Sequence, residues 1–236
     1  MVEQNEEMNK EDSQKESDKP FSVVAVSVGK GLQAILESLG VDHIIEGGQT
    51  LNPSTEDIVK AINKVKGKKV IILPNNSNII LAAEQAKSLV DKEIVVIPSK
   101  SIPQGIVAMI SLDQKVDFEI AVDKMNQAIK EVITGEVTYA VRNSHFDGQI
   151  IEEGDILGLA DGKVKVVEKD KGLVLARLLK EMIDKEKELV TIYYGQEVSK
   201  EEAENVLENL EQEYPDVEFE MHYGGQPLYY YLLSAE

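Results

Sequence analysis

The sequence contains no cysteine, and this absence excludes disulfides, thiolate zinc sites and cysteine nucleophiles together. Basic residues are few, since 25 lysines and arginines stand against 43 aspartates and glutamates and the formal net charge is −18. Such a charge repels a nucleic-acid backbone and forfeits the counterion release that drives its binding. DNA and RNA are therefore not expected partners.

Long apolar runs are also absent, because no uninterrupted apolar segment reaches the ~20 residues that a membrane-spanning helix needs. The amino-terminal region carries no apolar signal core either, and we therefore expect a cytoplasmic protein without a transmembrane segment. The 236 residues are enough for one large domain or two small ones, and we expect two lobes.

Residues 1–19 contain no aromatic residue, no isoleucine and no leucine, and they carry seven acids against three lysines. This composition predicts a disordered acidic linker. A native linker to an upstream domain and an arbitrary boundary of the sequence are equally compatible with it.

After Pro20 the pattern changes to short β-rich runs that alternate with amphipathic helical segments. The runs "FSVVAVSVG", "DHIIEGG", "KKVIILPNN" and "KEIVVIPSK" are predicted strands, and their largely continuous apolar character is typical of a parallel sheet covered on both faces. Residues 20–112 are therefore predicted to form a parallel-sheet α/β lobe.

Residues 113–236 have a different pattern. Asp147-Gly148 and Asp161-Gly162 are turn signals between short β-rich runs, which indicates antiparallel strands. Two helical segments, "LVLARLLKEMI" and "SKEEAENVLENLEQEY", flank the predicted strand "ELVTIYYG". The second lobe is therefore predicted to be a mixed or antiparallel α+β unit, and the whole chain an α/β protein of two lobes.

The segment Gly29-Lys30-Gly31-Leu32-Gln33-Ala34 follows the first predicted strand and fits the loose form of a dinucleotide-binding fingerprint. The acid that this fingerprint requires at the end of the second strand has only Glu46 as a candidate. A tight turn into a helix explains the glycines without a nucleotide, so we do not predict a dinucleotide site.

The loop from Gly47 to Asp57 divides into two parts. Asn52 or Ser54 can cap a helix, and acids in its first turn would satisfy the helix dipole. Capping leaves Gly47-Gly48-Gln49-Thr50 unexplained, and these residues lie beyond the carboxyl end of a strand, where open α/β sheets bind ligands.

The same sheet edge should collect further polar loops, which supply amide, hydroxyl and ammonium groups but no evident acid–base pair. It is therefore predicted to bind a ligand or a partner, although helix capping accounts for about half of the polar residues. The predicted binding or partner surface comprises Gly47, Gly48, Gln49, Thr50, Asn52, Ser54, Asn75, Asn76, Lys100, Gln104, His222, Gly224, Gly225 and Gln226.

The three histidines differ in context. His43 precedes a strand and is predicted to be structural, and His145 lies in a turn and is predicted to be exposed. His222 stands in "EMHYGGQPLYYY", before a second Gly-Gly-Gln, and is the candidate for proton transfer or hydrogen bonding. No hydrolase triad spacing, H-E-x-x-H motif or clustered metal ligands accompany it, so no metal site and no self-contained catalytic centre are predicted.

Several long segments occur in an order that resembles a known family: "EGGQTLNPSTEDI", "ILPNNSNIILAAEQA", "IPSKSIPQGI", "TYAVR", "TIYYG" and "PDVEFEMHYGGQPLYYY". Together they resemble the carboxy-terminal region of the YloV/FakA family, the ATP-binding subunit of bacterial fatty acid kinase, which is related to dihydroxyacetone kinase. The resemblance covers the chain from Phe21 to Glu236.

The resemblance implies a fold similar to that of DegV-type fatty-acid-binding proteins and of the substrate domain of dihydroxyacetone kinase. The family's ATP and magnesium site lies in an amino-terminal domain with an aspartate-rich motif that this sequence lacks, so no cofactor is expected in this chain. The implied partners are an upstream kinase domain and a DegV-type fatty-acid-binding subunit, while a homodimer stays open. The implied function is to dock that subunit for phosphorylation of its acyl carboxylate, which feeds phospholipid synthesis, and the chain is not expected to be catalytic alone.

The resemblance also carries over to residues. His222-Tyr223-Gly224-Gly225-Gln226 is similar to a DegV-type H-x-G-P-G segment that contacts a lipid carboxylate, but it lacks the proline, and Gly47 to Ser54 would be the hydroxyl-rich loop of that site. Two alternatives remain: a stand-alone fatty-acid or small-ligand-binding protein, and a dihydroxyacetone kinase-like phosphotransferase in which His222 holds a carbonyl substrate.

Overall fold

The computed structural model describes residues 20–48, 52–146, 149–183 and 187–236. The predicted linker 1–19, the predicted site residues Gln49 and Thr50, and the Asp147-Gly148 turn lie outside the described residues.

The first sheet has four parallel strands in the order β2-β1-β3-β4, as the sequence pattern predicted. This strand order reverses between β1 and β3, and open α/β sheets bind ligands at the carboxyl ends of strands beside such a reversal. The strands are β1 (Ser22–Ser27), β2 (His43–Glu46), β3 (Lys69–Leu73) and β4 (Glu93–Val96). The helices that follow are α1 (Lys30–Ser38), α2 (Thr55–Lys64), α3 (Ser77–Ala86), a short 3₁₀ turn (Lys87–Leu89), α4 (Ile102–Ile110) and α5 (Phe118–Glu131).

Strand β1 explains why the apolar runs are continuous. All six of its residues are buried, and successive side chains point to opposite faces of the sheet. Val23 and Ala25 pack in one cluster with residues of α1, α4 and α5, whereas Val24 and Val26 pack in another with residues of α2 and α3. Both faces are therefore covered, and no position on β1 is left for a polar residue that faces solvent.

The second sheet has six strands in the order β11-β10-β12-β5-β8-β9. Only the β10–β11 pair in this sheet is parallel, so the sheet is mixed, as predicted. The strands are β5 (Ile133–Tyr139), β8 (Ile156–Ala160), β9 (Lys163–Glu168), β10 (Leu189–Tyr194), β11 (Glu218–Tyr223) and β12 (Tyr229–Ala235). A separate hairpin joins β6 (Ser144–Phe146) to β7 (Gln149–Ile151), and the helices are α6 (Lys171–Met182) and α7 (Lys200–Glu213).

The two faces of the second sheet pack against different neighbours. Tyr231 and Leu233 of β12 belong to the cluster that contains buried residues of α6 and α7. Tyr193 of β10 and Leu232 of β12 belong instead to the cluster of Val23, Ala25, α1, α4 and α5. One hydrophobic core therefore runs from the first sheet to the second.

Helix α5 was assigned to the second lobe by the predicted boundary at residue 112. Its buried residues Phe118, Ala121, Met125 and Ile129 pack in the core that also holds Val23 of β1. Helix α5 therefore lies in the core between the two sheets, and the boundary itself stays a prediction. Within the described ranges, none of the helices combines the length and the apolar character needed to cross a bilayer.

Candidate functional site

The loops that follow β1, β2, β3 and β4 meet at the carboxyl edge of the first sheet, and Asn75 is their central side chain. It is buried, and its φ of 55° lies in the left-handed region that asparagine tolerates. Its Nδ2 donates to the Val26 carbonyl oxygen at 2.9 Å, and its Oδ1 accepts from Ser99 Oγ at 2.7 Å. Because the protein satisfies these amide atoms, Asn75 joins three strands and has no described contact to offer a ligand.

Other predicted site residues cap helices or join loops. Asn76 Oδ1 accepts from Asn78 N at 2.9 Å and so caps α3, while Asn76 Nδ2 donates to the Gly48 carbonyl oxygen. Gln104 Oε1 accepts from Lys100 N at 2.7 Å, and Gln104 Nε2 donates to the Ile129 carbonyl oxygen at 3.3 Å. These amides hold the sheet edge together.

Ser54, not Asn52, caps α2. Ser54 Oγ accepts from Asp57 N at 3.2 Å, and Asp57 Oδ2 accepts from Ser54 N at 3.0 Å, which completes a capping box. The hydrogen bonds from Ser54 lower the pKa of the Asp57 carboxyl. Asn52 lies exposed on the wall of a groove nearby.

Gly29 and Gly31 begin helix α1 and lie directly against the second sheet. Leu32 N, in the first turn of α1, donates to the Gly224 carbonyl oxygen at 3.0 Å. A Cβ atom on Gly31 would lie 1.8 Å from the Tyr223 carbonyl oxygen, and one on Gly29 would lie 2.6 Å from the Gly224 oxygen. Gly29 also has a φ of 95°, which favours glycine. We call this contact between Gly29–Gly31 and Tyr223–Gln226 the lobe junction.

The lobe junction explains the glycine pattern that resembled a dinucleotide fingerprint. In that motif the glycines let a backbone approach a pyrophosphate at the amino end of a helix. Here the same freedom lets one backbone approach another, and the Gly224 carbonyl supplies the acceptor at the amino end of α1. The first sign of this contact in the sequence is the glycine pair itself, although its partner could not be read from the pattern.

Gln226 fixes the junction to the second sheet. It is fully buried, and its Nε2 donates to the Tyr193 carbonyl oxygen at 2.8 Å. The backbone N–H groups of Gly224 and Gly225 both donate to the Tyr194 carbonyl oxygen, at 2.9 and 3.2 Å. The segment Gly224-Gly225-Gln226 is therefore anchored on β10 and meets Gly29–Gly31.

The other Gly-Gly-Gln segment lies elsewhere on the first sheet. Gly47 N donates to the Ser27 carbonyl oxygen at 3.1 Å, and Gly48 is held by Asn76. The sequence suggested that the two glycine segments face each other between the lobes. The described contact of Gly224 across the junction is instead with the amino end of α1, and for Gln49 and Thr50 the suggestion stays a prediction.

His222 lies on β11 at the rim of the lobe junction. Its ring stacks on Tyr193, its neighbour on β10, with 6.0 Å between ring centroids. Its Nε2 lies 3.1 Å from Glu220 Oε2, and its side chain is 47% exposed. His145 is exposed on β6, and partial burial lowers the pKa of His43 on β2, with Lys64 contributing. His222 is therefore the histidine beside the junction, and it is ion-paired when protonated.

Glu136 is a residue of chemical interest that the sequence analysis did not select. It lies on β5 opposite Leu232 of β12 and Leu159 of β8, and burial raises the pKa of its carboxyl to about 7. Tyr229 lies near enough for the Glu136 charge to help burial raise the pKa of the tyrosine hydroxyl. In the segment "ITGEVTY" a single glutamate fits a solvent-facing position of an alternating strand, so the sequence offered no signal.

Two cavities lie away from the junction. An open groove of about 510 Å³ lies between β2 and α2, and its lining includes His43, Glu46, Asn52, Ser54 and Lys64. A smaller cavity of about 250 Å³ lies between α4, α5 and the carboxy terminus. Within the described ranges, no group of three or more histidine, aspartate or glutamate residues is arranged to hold a metal ion.

Sequence comparison gives a family match over nearly the whole chain. The family of FakA-like C-terminal regions, from fatty acid kinase, matches residues 22–236. Protein YloV from Bacillus subtilis (strain 168) is 44% identical over 217 residues, which are 92% of this chain and 39% of that protein. An uncharacterized protein of Staphylococcus aureus (strain USA300) is 44% identical over 215 residues, with 91% and 39% coverage. The chain thus spans about two fifths of the length of these relatives.

Solved structures share the fold at low sequence identity. A fatty-acid-binding DegV family protein from Thermus thermophilus matches with a TM-score of 0.65 and 13% identity, over 92% of this chain and 99% of that one. The Streptococcus pneumoniae fatty acid kinase (Fak) B3 protein loaded with linoleic acid matches with a TM-score of 0.57 and 12% identity, over 92% and 99%. The dihydroxyacetone kinase from C. freundii matches with a TM-score of 0.61 and 14% identity, over 92% and 48%. At these identities the likeness concerns the fold, which confirms the predicted DegV-like and dihydroxyacetone kinase-like architecture.

Proposed function

The chain belongs to the FakA-like C-terminal family of fatty acid kinase, and on that premise we propose that it is a non-catalytic module of such a kinase. It docks a separate DegV-type fatty-acid-binding subunit, orienting it towards a kinase domain elsewhere in a longer cytoplasmic protein. That domain holds ATP and magnesium and transfers the γ-phosphoryl group to the bound acyl carboxylate. The acyl phosphate then serves phospholipid synthesis.

The observation that carries this proposal is the lobe junction. In the described structure, Gly29 and Gly31 meet Tyr223–Gln226 in backbone contact beside the carboxyl edge of the first sheet. An acyl carboxylate entering at this point would have to displace the Gly224 carbonyl from the amino end of α1. The closed junction supports a docking role over lipid binding by the chain itself.

The chemistry of the predicted site supports a non-catalytic role as well. The side-chain amides of Asn75, Asn76 and Gln104 bond to the protein, and Ser54 caps a helix. His222 pairs with a glutamate at the rim. These groups hold loops in place, and none of the described pairs joins a nucleophile to a general base in the way that phosphoryl transfer by this chain would require.

The test is a titration of the purified chain with the DegV-type subunit of the same organism, measured by isothermal titration calorimetry. Saturable binding, together with no ATP hydrolysis by the chain alone, is the expected result. ATP turnover by the purified chain would contradict the proposal, and so would a failure to bind the subunit in both its lipid-free and lipid-loaded forms.

A fatty-acid-binding function is the second candidate, because the fold is shared with a DegV family protein that binds fatty acid. Mass spectrometry of lipid extracted from the purified chain separates the two functions. A docking module carries no stoichiometric fatty acid, whereas a lipid-binding protein retains it and loses it when His222 is replaced by alanine. A covalent adduct on His222 after incubation with dihydroxyacetone would instead favour the phosphotransferase alternative.

A further inference from the structure

Glu136 faces away from the helices of the second sheet. Its neighbours Gly135 and Val137 point towards α6, since Met182 approaches Gly135 and Val137 packs in the α6–α7 cluster. Glu136 lies on the opposite face, in register with Leu232, which belongs to the core shared with the first sheet. Because side chains alternate along a strand, the Glu136 carboxyl lies one strand outward from that core.

The surroundings of this carboxyl are mostly apolar and incompletely covered. On the same face β8 contributes Leu157 and Leu159, and both leucines, like Glu136, are partly exposed. Thr138 uses its hydroxyl to donate to the Leu228 carbonyl oxygen at 2.7 Å. We call the set Glu136, Leu157, Leu159 and Tyr229 the acidic sheet face.

No ion pair and no hydrogen bond reaches the Glu136 carboxyl from the described part of the chain. This separates it from acids such as Glu168 and Glu213, which pair with Arg177 and Lys180. A carboxylate removed from water without a partner is costly, and a cation held against it repays that cost. The raised pKa of Glu136, caused by burial, is a second sign of this desolvation.

We propose that the acidic sheet face receives a lysine or arginine side chain from the docked DegV-type subunit, with Glu136 as its carboxylate partner. The inference rests on the proposed function and identifies a contact residue for it. Charge complementarity selects the occupant, because the described chain presents a partly buried carboxyl without a cation. The leucines select a long side chain, since lysine and arginine lay an apolar stem along such a surface while the charged head reaches the acid.

The pairing makes docking depend on pH. Among the described residues the titratable group that faces Glu136 is Tyr229, which stays neutral because its pKa is raised, and the cross-strand neighbours Leu232 and Leu159 do not titrate. Since a cation pairs with the ionised carboxylate, a free-state pKa of about 7 must be overcome when binding occurs at lower pH. Affinity should therefore rise about tenfold from pH 6 to pH 8 through this one group.

The experiment measures, at pH 6 and pH 8, the dissociation constant of the DegV-type subunit from the wild type, Glu136→Gln and Glu218→Gln. Glu218 is an exposed glutamate on edge strand β11 and serves as the matched control. Glu136→Gln should weaken binding about tenfold or more at pH 8 and remove that part of the pH dependence, while Glu218→Gln should behave as the wild type. Circular dichroism of each variant confirms that it is folded.

The outcomes separate the inference from the function on which it rests. A wild type that binds, with Glu136→Gln binding equally well at both pH values, overturns the inference and leaves the docking function intact. A wild type that does not bind the subunit overturns both. Because histidines also titrate between pH 6 and pH 8, the decisive quantity is the difference in pH dependence between wild type and Glu136→Gln.

Discussion

Gly31 lies so close to Tyr223 that a Cβ atom on the glycine would be 1.8 Å from the tyrosine carbonyl oxygen. Real Cβ atoms do not approach an oxygen at that distance, so any other residue at position 31 forces one of the two backbones to move. The contact joins the start of α1 to the end of β11, which belong to different lobes. A single hydrogen atom in place of a side chain on Gly31 is therefore a condition for the lobe junction.

Replacement of Gly31 by alanine should destabilise the chain. The added methyl group meets backbone, which cannot swing aside as a flexible side chain can, and overpacking of this kind typically costs about 1–3 kcal/mol. The loss should be measured as a lower free energy of unfolding in urea. Faster proteolysis near residue 224 would indicate that the junction has opened.

Lys30→Ala is the matched control, because Lys30 lies in the same turn but is exposed. It should change the free energy of unfolding by no more than about 0.5 kcal/mol. Equal stability of Gly31→Ala and Lys30→Ala would mean that the junction is not closed in solution.

The lobe junction also shows where sequence reasoning stopped. The parallel first sheet and the mixed second sheet followed from local patterns, since continuous apolar runs and turn signals are written within about ten residues. The junction joins Gly31 to Tyr223, which are far apart in the chain, and no local pattern records such a pairing. Gly29 and Gly31 were recognised as unusual, but their partner required the fold.

Gln226 should be a strong determinant of stability. Its Nε2 hydrogen bond to the Tyr193 carbonyl oxygen is buried, so Gln226→Leu leaves that carbonyl without its side-chain donor. Loss of a buried partner typically costs about 1–3 kcal/mol. Thermal unfolding followed by circular dichroism measures the effect. Gln196→Leu, at an exposed position beside the junction, is the control and should unfold near the wild-type temperature.

Ser54→Ala separates helix capping from ligand binding at a predicted site residue. Because Ser54 caps α2 through its hydroxyl, the variant should lose about 1 kcal/mol of unfolding free energy. Binding of the DegV-type subunit should be unchanged, as calorimetry at a temperature well below unfolding can establish. Weaker binding with unchanged stability would instead assign Ser54 to the partner surface.

Glu136 illustrates a different limit of the sequence. A lone glutamate between Gly135 and Val137 fits an alternating strand with one wet face, and the pattern contains nothing to distinguish that from a face turned towards a second sheet. The orientation of β5 relative to the first sheet decides the matter, and it depends on the packing of Leu232 and Tyr193 in the shared core.

The raised pKa of Glu136 predicts how the stability of the free chain depends on pH. The folded chain binds the carboxyl proton more tightly than the unfolded chain, since the pKa rises from 4.5 to about 7 on folding. This contribution to stability is therefore complete below about pH 4.5 and is lost as the pH rises through 7. The shift corresponds to about 3 kcal/mol at most.

Glu136→Gln removes this titration while keeping the shape of the side chain. The variant and the wild type should have similar unfolding free energies at pH 5, and at pH 8 the variant should be more stable by up to about 3 kcal/mol. Urea unfolding at both pH values measures the difference, and Glu218→Gln should show no such gain because its side chain is exposed. A gain at pH 8 together with weaker docking would mean that the glutamate is retained at the expense of stability. That combination is the expected signature of a carboxylate whose partner arrives from another protein, whereas equal stability at pH 8 would show that Glu136 is already well solvated.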